Sequence, residues 1–196
     1  MIDHVGSLAS HLRGRPAHPA LEGSNDHAAS CPDPVPVQLF EADRIATGTL
    51  CGARERISDT VNRVASLRLV DVTITDLESQ SASTVPASEV PLDQVLLIIP
   101  GDRPAAERRI WTRRRYVEIA MGEFAVFGDL HAPAAADPIA NLHRRPAFVP
   151  LTNATIVVAA NGASLAATPA VIVNTASATS IRDAGHDRDR RPFAPR

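Results

Sequence analysis

Apolar and polar residues alternate at period two along Arg44 to Cys51, RIATGTLC, the pattern of a half-buried strand. Ahead of it, Val35 to Phe40 places apolar side chains behind an extended approach made by Pro32, Pro34 and Pro36. The polar triplet Glu41-Ala42-Asp43 between these segments predicts a hairpin. Ser58 or Asp59 can accept backbone N–H groups at the start of a short helix reaching about Ala65. Leu67 to Asp76, LRLVDVTITD, is the clearest strand of this region, and its apolar phase shifts across Val70-Asp71, which predicts a bulge. A Ser-rich loop over Glu78–Thr84 leads to strands at Val85–Val90 and Asp93–Ile99.

A related pattern recurs about eighty residues later, with Ile57–Ile74 answered by Asp137–Ile156. Val37 meets Val117, Leu39 meets Ile119, Gly48 meets Gly128 and Leu50 meets Leu130. After short insertions Leu69 meets Leu151, Ile74 meets Ile156, Pro86-Ala87 meets Pro169-Ala170, and Val90 meets Val173. The second series has strands at Val117–Met121 and Glu123–Gly128, then Val149–Ala159. Asn161-Gly162 is a hairpin turn signal, Leu165–Val173 the return, and Asn174–Ile181 a weaker last strand. Repeats of this kind decide a fold before local detail does. The expectation is a mainly β protein of two related small β units, barrel-like or sandwich-like, with disordered termini. Residues 1–34 form the first tail, 35–101 the first unit, 102–115 an Arg-rich linker, 116–182 the second unit and 183–196 the last tail.

Composition narrows the chemistry. Apolar residues make up 44% of the chain but aromatic ones only 4%, so the core must be built from Val, Leu, Ile and Ala. All 20 Lys-plus-Arg positions are arginine, which excludes Schiff-base lysines and phosphate-loop lysines. A net charge of −2 is no general match for nucleic acid. Cys31 and Cys51 form no metal pattern, and their spacing does not decide whether they pair. No apolar run reaches membrane-spanning length and the N-terminus has no signal-type apolar block, which points to the cytoplasm.

The densest charge is ERRIWTRRRY, where Arg108, Arg109, Arg113, Arg114 and Arg115 surround Trp111 ahead of Tyr116. Arginines beside aromatics suit phosphate pairing, base stacking or an acidic protein partner. His131, Asp137 and His143 are the one set that could hold a metal or run acid–base chemistry, although twelve residues separate the histidines across a Pro-rich loop. No Gly-x-Ser-x-Gly, dinucleotide or phosphate loop is present.

Gly48-x-Leu50, then Asp59, Asn62 and Leu69-Val70-Asp71-Val72, resembles the first motif of Sm-like small barrels. In the second series Gly128-x-Leu130, Asp137, Asn141 and Leu151-Thr152-Asn153-Ala154 are similar, with that family's four-residue step from Asp to Asn. The resemblance implies that these loop residues sit where that family binds RNA bases; the family's Arg-Gly motif is missing. The same segments more nearly resemble an uncharacterised bacterial small all-β family with a Gly-x-Leu, Leu-Ser-Asp-x-x-Asn and Leu-x-Asp-Ala pattern, present here in tandem. That likeness implies a fold and no activity. The functional expectation is a non-enzymatic binding or scaffold protein, without cofactor or metal, acting on a protein partner or on itself. Its candidate binding residues are the arginines, Trp111, Asp59, Asn62, Asp137 and Asn141. RNA or nucleotide binding is the alternative, and a metal-dependent hydrolase using His131 and His143 is a further one.

Overall fold

The computed structural model describes residues 31–53, 56–101 and 112–185. The chain is mainly β. Its strands are β1 (Val35–Phe40), β2 (Arg44–Leu50), β3 (Ser66–Asp76), β4 (Ala82–Pro91) and β5 (Leu97–Pro100), then β6 (Thr112–Met121), β7 (Phe124–Pro133), β8 (Phe148–Val158), β9 (Ser164–Asn174) and β10 (Ser180–Asp183). A short helix α1 (Ile57–Val61) lies between β2 and β3, and a 3-10 turn at Leu142–Arg144 takes the same place between β7 and β8.

All ten strands join one antiparallel sheet in the order β10-β6-β7-β8-β9-β5-β1-β2-β3-β4. Strands β1 to β4 form a meander, and β5 returns to the free side of β1. Strands β6 to β10 do the same, with β10 against β6. Registers correspond across the halves. Val37 pairs with Gly48 and Pro100 as Val117 pairs with Gly128 and Asp183. Leu67 pairs with Val90 as Val149 pairs with Val173.

Each half bends at one glycine. The β2–β3 register slips between Thr47 and Thr49, and the β7–β8 register between Phe127 and Asp129. Opposite these slips Asp71 and Asn153 take φ of 52° and 51°, the left-handed region that costs a side-chain-bearing residue energy. A Cβ on Gly48 would lie 3.1 Å from the Val70 carbonyl oxygen, and one on Gly128 would lie 3.2 Å from that of Thr152. A side chain at either position would push the facing backbone away by a few tenths of an ångström, which glycine avoids. The bend wraps each half around its own core. Leu39, Leu69, Val72 and Val95 centre the first; Ile119, Leu130, Leu151 and Ile156 centre the second.

The halves are stitched between β5 and β9, where Leu97 pairs with Val173 and Ile98 with Ile172. Each half also lends side chains to the other's core. Phe148 and Ile172 belong to the first core, Phe40 and Leu97 to the second. The Phe40 and Phe124 rings meet edge-on at 5.7 Å. Asn174, buried, donates its backbone N–H to the Leu96 carbonyl and its side-chain amide to that of Val95.

Several expected boundaries move. Cys31 lies in the expected tail but is disulfide-bonded to Cys51, and the Pro32 carbonyl accepts the Gly52 N–H, so covalent and main-chain ties order this segment where composition suggested nothing would. At the far end Asp183 is the last residue of β10, held by β6 rather than by apolar burial. Arg113–Arg115, expected in a linker, lie inside β6, because their neighbours on β7 supply a ladder invisible to local pattern. The rest of the expected disordered tails, residues 1–30 and 186–196, lies outside the described residues. No described helix is long and apolar enough to cross a membrane.

The disulfide closes a loop with a sequence separation of 20. Reduction should destabilise the chain by about 3 kcal/mol through the entropy returned to the unfolded state. Denaturant titration with and without reductant, and of Cys31→Ser/Cys51→Ser, measures it. Equal midpoints would show that the crosslink contributes nothing.

Candidate binding surface around strand β6

The first residues of β6 pair along β7, but their own side chains lie outside the second core. Val117, Ile119 and Met121 face inward, while Thr112, Arg113 and Arg114 are exposed. The expected charge concentration at Arg113–Arg115 is real, but most of it is answered within the chain. Arg114 approaches Asp129 at 3.8 Å. Arg115 lies 3.6 Å from Asp137 and 3.6 Å from Asp183. With the arginines a third to half exposed, such pairs contribute about 0–1 kcal/mol each and are open to exchange. Arg113 makes no ion pair with a described carboxylate. Arg108, Arg109 and Trp111 lie outside the described residues.

Asp129 is the buried anchor of this face, 5% exposed, and it also accepts a hydrogen bond from the Asn153 amide at 2.9 Å. Asn153 is the strained bulge residue, so the bulge aims its amide at the carboxylate. Tyr116 stands directly across the ladder from Asp129. Burial, then the nearby Asp129 charge, raises the Tyr116 phenol above its ordinary value. The pairing of Asp129 with Asn153 was not legible in the sequence, because the bulge that joins them is a cross-strand feature.

His131 lies directly opposite Arg114. Its Nδ1 is 2.8 Å from the Thr112 hydroxyl and its Nε2 is 2.7 Å from the Thr152 hydroxyl, so the ring bridges β6 and β8. Burial is the main influence on its pKa and lowers it; Asp129 opposes this, and Arg114 and Arg145 add to it. A neutral ring between two hydroxyls is a structural tie, and both nitrogens are occupied. The side chain of His143 is outside the described set. Among the described residues no group of three or more His, Cys, Asp or Glu side chains is placed to hold a metal. Arg145, partly buried, has its pKa lowered by that burial and has no hydrogen-bond or carboxylate partner for its guanidinium among the described residues.

The Asp/Asn loops are turn-builders in both halves. Asp137 Oδ1 accepts the N–H groups of Ile139 and Ala140 at 2.9 and 3.0 Å. The Ala140 N–H leads the influences that hold its carboxyl below the usual range; Ile139, Arg115 and Arg113 act the same way, and burial opposes them. Asn141 donates to the Asp137 carbonyl as Asn62 donates to that of Ser58, at 2.9 and 2.7 Å. Asn62 does more: its amide donates to the Phe148 carbonyl at 2.8 Å and its Oδ1 accepts the Phe148 N–H at 2.9 Å. It therefore acts as one more rung between the halves, leaving little for a ligand. Asp59 is an exposed residue in the first turn of α1. The structure thus gathers Arg113–Arg115 and Asp137 on one end of the second half, while Asp59 and Asn62 belong to the first half's loop.

Asn62→Ala should cost about 1–3 kcal/mol, since it strands both Phe148 main-chain groups; denaturant unfolding checks this, and an unchanged midpoint would refute the rung. His131 supplies a pH test. Its folded pKa is depressed below 6.5, so the unfolded chain binds more protons and stability should fall as pH drops below that value toward the folded pKa. Replacing His131 by Asn should flatten the stability–pH slope over that window, measured by unfolding at successive pH values.

Compared with family models, with curated proteins and with solved structures, the chain matches none.

Proposed function

We propose that the protein is a non-enzymatic binding or scaffold protein, built as two copies of one small β unit, that works through the free edges of its sheet. The observation that carries this reading is the topology. A ten-stranded sheet of two barrel-like halves ends in β4 and β10, whose outer edges have no partner strand among the described residues. Open edges offer main-chain donors and acceptors to an added strand. Internal polar groups, by contrast, are spent on structure: His131, Asn62, Asn174 and Asp137 each satisfy named partners.

A second reading is recognition of an acidic partner or nucleic acid at the start of β6. Arg145 favours it, as a cation with no described carboxylate partner, as does Arg113, which acts on Asp137 without a close ion pair, and the 3.6–3.8 Å pairs of Arg114 and Arg115 could be exchanged for ligand contacts. The metal-dependent hydrolase reading has less support, because His131 already uses both ring nitrogens.

The chain's two cysteines are both in the disulfide, and such crosslinks persist in oxidising compartments. We therefore place the working protein in an oxidising compartment in preference to the cytoplasm expected from its sequence.

Affinity capture from native lysate, with and without nuclease, tests these readings together. Wild type should retain protein partners after nuclease, and Arg113→Ala/Arg114→Ala/Arg115→Ala should retain them too. Nucleic acid recovered with wild type and lost with that triple variant would replace the first reading by the second. Alkylation of intact cells before lysis should find Cys31 and Cys51 blocked from labelling; free thiols would return the reading to the cytoplasm.

A further inference from the structure

The junction inside the chain has two unfilled counterparts at its ends. By register β4 is to the first half what β9 is to the second, and β10 is to the second half what β5 is to the first. Inside the chain β5 takes β9. The same operation applied once more sets β10 of one chain against β4 of another. Leu97–Val173 and Ile98–Ile172 then become Ser180–Val90 and Ile181–Glu89.

The second requirement of the junction is also prepared. Asn62 grips both main-chain groups of Phe148, and the counterpart of Phe148 is Ser66: the Leu92 N–H to Ala65 bond in the first half repeats as the Thr175 N–H to Ala147 bond in the second. The counterpart of Asn62 is Asn141. It holds the same bond to the carbonyl four residues back, while its Oδ1 has no partner among the described residues. We propose that this protein binds a second copy of itself head to tail, β10 of one chain pairing with β4 of the next and Asn141 gripping the main chain of Ser66. This rests on the reading that the sheet edges are the working surfaces and names the partner.

The repeated joint is weaker than the internal one, and the side chains say by what means. Phe40, Leu97, Phe124, Phe148 and Ile172 line the internal junction. Their counterparts by register are Ala120, Ser180, Arg44, Ser66 and Glu89. Pro91 replaces Asn174 and has no N–H to give. Arg44 is instead bound to the buried Glu41 at 2.7 Å, and the Ser66 hydroxyl donates to Glu89. Most of the apolar component is gone, leaving Val90 and Ile181, and the main-chain component remains, so this association is reversible, where the internal one is part of the fold. Pro86 does not obstruct it, since its counterpart Pro169 sits in β9 outside the two paired positions. A head-to-tail contact closes into a ring or runs on as a filament.

Sedimentation velocity of the intact, oxidised chain from micromolar to millimolar concentration tests the proposal. Wild type should gain mass with concentration. Asn141→Ala should weaken association about tenfold by removing the grip on Ser66. Ile181→Pro should abolish it, with circular dichroism confirming the fold. Ala120→Phe combined with Ser180→Leu should tighten it by restoring apolar contact. A chain monomeric throughout, or association indifferent to Asn141→Ala and Ile181→Pro, overturns the proposal. If lysate capture still yields another protein, the edge-binding reading survives that failure.

Discussion

Everything in this architecture depends on one short ladder, the pairing of β5 with β9. It spans two residue pairs, yet it turns two bent five-stranded halves into a single sheet. Main-chain hydrogen bonds alone would be a modest tie, because each replaces bonds to water. The ladder holds because it is embedded: Phe148 and Ile172 complete the first core, and Phe40 and Leu97 complete the second. Separating the halves would expose aromatic and aliphatic surface on both sides, and burial of that surface is the dominant favourable term. Asn62 and Asn174 fix the register by satisfying main-chain groups that the ladder leaves open.

The second constraint is curvature. A small half without many aromatics must enclose its core by bending the sheet, and the bend sits at Gly48 and Gly128. The strain of Asp71 and Asn153 at positive φ is the local cost of that bend. In the second half the same feature has a consequence for surface chemistry, since Asn153 is turned onto Asp129 and helps hold a buried carboxylate beside Tyr116 and Arg114. Curvature thus decides which polar groups converge around β6.

The polar groups divide by what they satisfy. Asp137, Asn62 and His131 have partners inside the chain, and these partners explain the residue types without a ligand. The sheet edges differ, because β4 and β10 end the sheet with main-chain groups directed at no described strand. Pro86, Pro91, Glu89 and Arg182 lie on them, residues that protect edges from indiscriminate pairing. Edges of this composition suit a selective, weak partner better than a permanent one.

How much of this was legible in the sequence follows from the range of each interaction. Alternation along Arg44–Cys51, the phase slip at Val70-Asp71, Gly48 with Gly128, and the recurrence of one order of elements after about eighty residues are local or periodic signals, and they point to a mainly β chain. The loop residues Asp137 and Asn141 could be recognised as polar turn formers for the same reason. The tertiary structure decided the rest. Whether Cys31 meets Cys51 depends on how the β1–β2 hairpin places its ends, and spacing carries no such information. That Arg113–Arg115 form a strand depends on β7, and that Arg114 and Arg115 are answered by Asp129, Asp137 and Asp183 depends on three separate elements converging. The pairing that unites the halves could not be read, because β5 and β9 lie more than seventy residues apart and their pairing is selected by the shape and burial of two cores that each draw side chains from both halves.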